Sequence, residues 1–451
     1  MSKTVVRFYR GTHGMGIVIS VTCGNDRVIF DFGAPFTPLA QVYDGTLLPR
    51  TVNRVKDAIL LERIPPVEGV FSRNDLQDLP VISYEESNLN TAVLICHLHL
   101  DHMSEIDKIA PEIPVYIHEE GLKLLKALQE VNEETVYRSY SSFNYHKTFG
   151  VGQISVTPYF SDHPCPGSAG FLLETPDSTV YYSGDIRFHG LDSEQALAEL
   201  EILAEKHIDL LIVDSTTTSP SEFTGEIITE QDIYDDIYDH LKGSEDLGIF
   251  NQYNRDVAMM QHMNDLGKRL NRTVLWEPEF AYIINKMTGT KVPIYWIDSQ
   301  HIPACLKIVK NDYQIISSEE IRIHPEKYLI QNSYTNILAL SDFDGLKGQY
   351  FHLFGEPLVK GQKDYQIMVN VVNKLNWNFN TYTNLYSFSH RYPEHLRNLV
   401  DKINAVTVVA VHSRHPENLD PVRSIHFFPE ENTDYVLENG ILKQKQNLPL
   451  K

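Results

Sequence analysis

The run His97-Leu98-His99-Leu100-Asp101-His102 packs three imidazoles and one carboxylate into six residues, directly after the apolar stretch Ala92-Val93-Leu94-Ile95. Side chains at i and i+2 share one face of a strand, so His97 and His99 are expected to grip one metal ion together. A strand cannot aim all four groups at one point. Asp101 and His102 fall where the strand should end, and a turn there points both at a second ion. Imidazole and carboxylate are ordinary ligands for divalent zinc.

Two such sites need partners from elsewhere in the chain. Ser161-Asp162-His163-Pro164 follows a strand-like run and offers His163. Tyr181-Tyr182-Ser183-Gly184-Asp185 ends another and offers Asp185, whose two oxygens can span two ions. Val409-Ala410-Val411-His412 ends a third and offers His412 to the second ion. Each candidate stands at the C-terminal end of an apolar run, so all are expected to converge on one edge of a sheet sandwich. Two zinc ions about 3.5–4 Å apart can activate water at neutral pH and stabilise an in-line displacement at phosphorus.

A chain of 451 residues exceeds one compact core and suits two or three domains. Its 42% hydrophobic and 22% charged residues are those of a soluble globular protein. No apolar stretch approaches the ~20 residues that span a bilayer, so no membrane association is expected. Met1-Ser2-Lys3-Thr4-Val5-Val6-Arg7 lacks the apolar centre of a signal peptide and reads as a strand, which makes a cytoplasmic location the expectation. Cys23, Cys96, Cys165 and Cys305 form no CxxC pair, which argues against a disulfide scaffold and a thiolate zinc site. The 39 basic and 60 acidic residues give a formal charge of −21. That charge disfavours a long, purely electrostatic nucleic-acid surface, although two zinc ions would supply local positive charge.

The first ~215 residues alternate short β-rich runs with turns. Expected strands include Val5 to Tyr9, Val28 to Asp31, Val93 to His97, Ile154 to Tyr159, Val180 to Ser183 and Leu210 to Asp214. From ~216 to ~385 the texture changes. Gln231 to Leu241, Asn254 to Leu270, Pro278 to Met287 and Asp364 to Leu375 read as helices, with strands at Thr273 to Trp276 and Asn336 to Leu340. This reads as an α/β unit with a mainly parallel sheet. A β-α-β piece follows: Leu385 to Ser389, a helix from Glu394 to Ile403, and Val406 to Val411. From ~430 the chain reads as a polar tail. With no Gly/Ser linkers, the second unit is expected to join the first through short connections, as an insertion would.

Asp31 in Phe30-Asp31-Phe32-Gly33, the run from His97 to His102, His163 and Asp185 together resemble the metallo-β-lactamase superfamily. Asp162-His163-Pro164-Cys165-Pro166-Gly167-Ser168-Ala169-Gly170-Phe171 and Tyr182-Ser183-Gly184-Asp185-Ile186-Arg187 strengthen the likeness. Val213-Asp214-Ser215-Thr216 resembles motif A of the β-CASP nucleases, Ser387-Phe388-Ser389-His390 their motif B, and Val411-His412 their motif C. The pattern is most similar to the ribonuclease J branch, with a weak echo in Phe354-Gly355-Glu356-Pro357. Arg391-Tyr392-Pro393 and Ser413-Arg414 depart from the usual residues after motifs B and C.

The resemblance implies an α/β fold, a metallo-β-lactamase αββα sandwich carrying an inserted α/β β-CASP domain. Residues 1–215 and 386–430 would form the discontinuous outer domain, 216–385 the insert, and 431–451 the tail. It further implies that His97, His99 and His163 bind one zinc, that Asp101, His102 and His412 bind the other, and that Asp185 bridges. Manganese accepts the same nitrogen and oxygen ligands. Asp31 would orient a ligand imidazole. His390 would bind the scissile phosphate or protonate the leaving oxygen, with Asp214 holding it. Ser387 and Ser389 would donate hydrogen bonds to a phosphate.

The expected activity is a dinuclear-zinc phosphodiesterase acting on RNA, a 5′→3′ exonuclease with accompanying endonuclease cuts. Two alternatives stand beside it. One is a small-molecule hydrolase of the same superfamily, which has no use for a ~170-residue insertion. The other is a relative that positions RNA or a protein without turnover. Self-association as a homo-oligomer is left open.

Overall fold

The computed structural model describes residues 2–34, 47–48, 50–218, 228–295, 306, 312–357, 360, 362–382, 390 and 392–445. Two sheets face one another at its centre. The first runs from β1 (Thr4–Arg10) through β2 (Val18–Cys23), β3 (Asp26–Phe30), β4 (Asn90–Leu94) and β5 (Val115–His118) to β6 (Ser141–Phe143). The second contains β7 (Phe149–Val151), β8 (Ile154–Phe160), β9 (Ala169–Glu174), β10 (Thr179–Tyr182) and β11 (Leu210–Asp214). A late strand, β19 (Thr407–Val411), pairs parallel with β11, and β20 (Ile425–His426) completes that edge.

Alternation explains the sandwich. β1 and β8 both follow the burial pattern buried–intermediate–buried–intermediate, one face inward. Their inner residues join Phe30, Phe171, Tyr182, Ile212 and Val409 in one core between the sheets. β11 and β19 are buried along their whole length, as strands covered on both faces must be. Helix Glu119–Glu130 covers the outer face of the first sheet, and helices Ser193–Ala204 and Pro393–Ile403 cover the second. The result is the expected αββα sandwich.

A third sheet belongs to the residues between β11 and β19. β12 (Leu247–Asn251), β13 (Thr273–Leu275), β16 (Tyr328–Gln331), β17 (Gly348–His352) and β18 (Asn378–Thr381) are all parallel, in the order β13-β16-β12-β17-β18. A separate small pair is β14 (Ile294–Tyr295) with β15 (Ile315–Ile316). Helices Glu230–Leu241, Val257–Leu270, Pro278–Thr288 and Lys363–Lys374 accompany these strands.

Several local expectations are corrected. Asn336 to Leu340 is not a strand but part of a 3₁₀ segment, Tyr334–Phe343. Its buried residues, Ile337, Leu340 and Phe343, recur every third position, while Leu338 between them is exposed. That spacing fits three residues per turn. The polar run from ~430 contains β21 (Asp434–Glu438) and β22 (Ile441–Gln444), a hairpin added to the edge of the first sheet beside β1. Its alternation is short and diluted by charge, which hid it. The stretch Leu385 to Ser389 lies outside the described residues. No helix among the described residues is long and apolar enough to cross a membrane.

Buried ion pairs tie the parts together. Arg187, 3% exposed, lies 3.0 Å from Asp162 and 2.8 Å from Glu230 at the start of helix Glu230–Leu241. Substituting Arg187→Met leaves two buried carboxylates without their counter-charge. We expect a loss of about 3–5 kcal/mol in unfolding free energy, read from the urea midpoint.

Candidate metal centre

Every candidate ligand stands just past the C-terminal end of a strand. Asp31 follows β3, the His97–His102 run follows β4, His163 follows β8, Asp185 follows β10, Asp214 ends β11, and His412 follows β19. β3 and β4 are parallel. So are β10, β11 and β19, with β8 parallel to them through the antiparallel β9. One edge of the sandwich therefore collects all of these side chains.

The first motif is not built as a strand face. β4 stops at Leu94, and His97 lies in the following loop. His99 is the N-cap residue of a short helix, Leu100–Met103, which carries Asp101 and His102. Asp101 falls in the first turn, where a carboxylate suits the positive end of the helix. The chain around Asp31 grips this helix: Phe32 N–H donates to the His102 carbonyl at 2.8 Å, and Glu105 N–H donates back to Phe32 at 3.1 Å. A Cβ on Gly33 would meet the Asp101 carbonyl oxygen at 1.9 Å, so only glycine fits there. Gly184 adopts φ +54°, and a Cβ there would meet Cys96 Cβ at 2.9 Å. The turn that presents Asp185 thus also requires glycine.

His97, His99 and His163 bring one ligand atom each within 4.8 Å of one another, and so do Asp101, His102 and His412. Asp185 Oδ2 lies between the two groups, 3.1 Å from His102 Nε2, 3.7 Å from His97 Nε2 and 3.9 Å from His163 Nε2. Asp185, Asp214, His390 and His412 form a further cluster. Asp214 Oδ2 lies 3.0 Å from His390 Nδ1, and that nitrogen is 3.9 Å from Asp185. Ser387 and Ser389 lie outside the described residues.

Electrostatics separates the imidazoles. Burial pushes His97 and His163 well below the ordinary histidine range and His99 down to about 3, so these three are neutral donors. Burial also opposes charge on His102 and His412. The surrounding carboxylates outweigh it, Asp185 first: His102 is raised well above its usual value and His412 up to about 9. Asp185 is held well below the usual carboxylate range, because His102, His412 and His390 outweigh its desolvation.

The donor set fits a divalent cation. The Nε2 atoms of His97 and His99 are buried and make no hydrogen bond. Neutral imidazoles facing an ionised carboxylate are what zinc or manganese takes as ligands.

A second layer orients these groups. His102 Nδ1–H donates to Asp31 Oδ2 at 2.9 Å, leaving Nε2 free to face the centre. Asp31 also accepts from Tyr182 O–H at 2.6 Å and from Cys96 N–H at 2.8 Å. Asp31 itself takes φ +57°, a conformation that aspartate tolerates. Cys96 Sγ lies 3.0 Å from His97 Nδ1. Thr216 Oγ1 lies 2.6 Å from His412 Nδ1 and donates to Asp214 Oδ1 at 2.7 Å. His412 occupies φ +64°, uncommon for a non-glycine residue, and its N–H is held by the Gly11 carbonyl at 2.7 Å.

Sequence reasoning missed Cys96, Tyr182 and Thr216 as parts of this layer. Each adjoins a motif residue, and strand alternation could have found Tyr182, which shares the inner face. Tyr253 and Arg255 left no local signal. Tyr253 packs edge-on against His99 with centroids 5.3 Å apart, and Arg255 donates to the Leu98 carbonyl. His118 caps a helix, its Nδ1 accepting from Glu120 N–H at 3.2 Å. His415 pairs with Glu417 at 3.0 Å and is not among the clustered ligands.

Residues 64–263 match the model of the beta-lactamase superfamily domain. A ribonuclease J from Pyrococcus abyssi is 23% identical over 255 residues, 52% of this chain and 55% of that protein. Ribonuclease J 1 from Streptococcus pyogenes is 24% identical over 206 residues, 44% of this chain and 36% of that protein. The chain thus matches about half or less of the length of these relatives. A crystal structure of a protein of unknown function from Enterococcus faecalis V583 superposes with a TM-score of 0.79 at 24% identity, covering 96% of this chain and 100% of that one.

Two outcomes are expected. Asp31→Asn turns the Oδ2 that accepts from His102 and Tyr182 into an amide donor while leaving an oxygen for Cys96 N–H, and should weaken zinc affinity roughly 10–100-fold in a chelator competition. Because His102 and His412 bind protons in the metal-free protein at pH 7, zinc must displace them. Affinity should therefore rise with pH up to about 9, the value of His412, and titration calorimetry in buffers of differing ionisation enthalpy should detect released protons.

Proposed function

We propose that this chain, whose residues 64–263 match the beta-lactamase superfamily domain, is a dinuclear-metal phosphodiesterase that hydrolyses RNA. The observation that carries this reading is the pair of ligand groups around Asp185 with the His390–Asp214 pair beside them. A lactonase or thioesterase needs the metals but has no need of a second imidazole–carboxylate pair facing them.

His97, His99 and His163 would hold one zinc, Asp101, His102 and His412 the other, and Asp185 both. When bound, the metals supply a nucleophile at neutral pH and Lewis-acid stabilisation of a phosphorane-like transition state. The protein's own groups do the rest. Asp31 and Thr216 fix the tautomers of His102 and His412. Asp214 accepts from His390 Nδ1–H and orients the ring, so that Nε2–H serves as a general acid. Water adds to phosphorus, the bond to the 3′ oxygen breaks, and His390 gives that oxygen its proton. The products are a 3′ hydroxyl and a 5′ phosphate.

In this reading residues 216–385 are an inserted β-CASP domain, and the RNA reaches the metal edge of the sandwich. Cleavage proceeds mainly 5′→3′ from the end, with internal cuts alongside. Ser387 and Ser389 receive the terminal phosphate. The ribonuclease J relatives favour RNA over other phosphodiesters, and a cytoplasmic site of action accords with that substrate.

The test uses zinc- or manganese-loaded protein and two short single-stranded RNAs, one with a 5′ monophosphate and one with a 5′ hydroxyl. Mononucleotide release favouring the monophosphate is the expected result. Asp101→Ala/His102→Ala protein should be inert, as should protein stripped with a chelator. His390→Ala should lose about 10²–10⁴-fold in rate while retaining its metal. Failure of metal-loaded protein to cleave either RNA would overturn the proposal.

A further inference from the structure

A second cavity of about 540 Å³ opens beside the metal centre, and its position follows from topology. β12 enters the third sheet at the middle, and the chain then builds β13 and β16 on one side and β17 and β18 on the other. A parallel sheet wound both ways leaves a crevice outside the carboxyl ends of its strands at the point of reversal. The cavity occupies that crevice: its walls include Asn251 at the end of β12, Gln252 after it, Glu279 after β13, Ser333 after β16 and Glu356 after β17. Its volume lies in the range of ordinary small-molecule sites, roughly 300–1,000 Å³.

We propose that this cavity binds an elongated organic cation of the polyamine class. It is lined by acceptors. Glu133, Glu279 and Glu356 approach it from three separate segments. Gln252, 3% exposed, donates its amide N–H to the Asp256 carbonyl at 3.3 Å and leaves its Oε1 buried without a partner. Asn254 donates to Glu133 at 2.8 Å, and its Oδ1 is likewise unpartnered. Arg255 is the single Lys or Arg among the described wall residues, and its guanidinium is engaged by Glu134 and the Leu98 carbonyl.

The same features reject a phosphate. Helix N-termini at such an edge are ready anion sites. Here Asp256 caps helix Val257–Leu270, accepting from Met259 N–H at 2.9 Å, and helix Pro278–Thr288 opens with a proline that has no N–H to offer. Glu277 is saturated by Ser333, Asn332 and Asn336, so it is structural. A single metal ion is also a poor match. None of Glu133, Glu279 or Glu356 belongs to a ligand cluster among the described residues, so the occupant must bridge separated carboxylates. Tyr253, Phe280 and Tyr334 supply aromatic walls for methylene segments and cation–π contact. Burial, with neighbouring carboxylates, raises Glu279 to about 7 and raises Glu133 and Glu356, the strain that a bound cation relieves.

This proposal stands independently of the RNA reading, because binding is measured without turnover. Spermidine is titrated by calorimetry into the zinc-loaded full chain at low ionic strength. Saturable one-site binding is expected. Glu279→Gln/Glu356→Gln protein should bind at least tenfold more weakly, and so should Glu133→Gln, a loop change that spares the helix ends. A control pair on the far helix, Glu194→Gln/Glu205→Gln, should bind as the parent does, with thermal melts confirming that all variants fold. Non-saturable uptake, equal loss in the control pair, displacement by Mg²⁺ at matched ionic strength, or saturation by guanosine in place of spermidine would each overturn it.

Discussion

Buried carboxylates that require a counter-charge are the constraint around which this molecule is arranged. Asp31, Asp101, Asp185 and Asp214 are each no more than 4% exposed, and all four converge on one edge of the sandwich. Ionised carboxylates in such a place cost several kcal/mol each unless they are paired. Imidazoles meet the demand in two ways. His102 and His412 are drawn toward the protonated form by the carboxylates beside them, whereas His97, His99 and His163 are kept neutral by burial. The first pair balances charge in the bare protein, and the neutral three can only donate lone pairs. A divalent cation satisfies both sets at once.

The second half of the chain does more than cover this edge. Arg255 reaches the carbonyl between His97 and His99, Tyr253 packs on the His99 ring, and Glu230 shares Arg187 with Asp162, the neighbour of His163. Displacing the third sheet would therefore disturb two ligand loops. Rigidity matters here because a metal ligand must be held to within a few tenths of an ångström. The tight turns at Gly33 and Gly184 serve the same end from within the sandwich.

The two carboxyl edges have opposite chemistry. That of the sandwich presents lone pairs around Asp185 and suits small, hard cations with a phosphoryl group. That of the third sheet has one helix N-terminus capped by Asp256 and turns glutamates into the crevice. A chain of net charge −21 thus concentrates acidity close to its candidate catalytic edge.

The clustering of these side chains was legible in the sequence. Histidine and aspartate after apolar runs mark candidate ligands, because a strand that ends at a sheet edge leaves the next residues there. Alternation and the long apolar runs of β11 and β19 revealed the sandwich for the same local reason. What the sequence could not decide were contacts between residues far apart in the chain. The role of His97 and His99 on one strand face was misjudged because the strand stops early and a short helix begins at His99. The run Asn336 to Leu340 looked like a strand because its four consecutive apolar residues fit either period. The terminal hairpin was obscured by charge, since its pairing with β1 lies more than four hundred residues away in sequence. Cys96, Tyr182 and Thr216 as orienting groups, and the acceptor-lined crevice beside the metal centre, exist only once separate strands share an edge. Composition and spacing specify which groups are available, but distance and desolvation, which set their protonation and their partners, arise only in the folded chain.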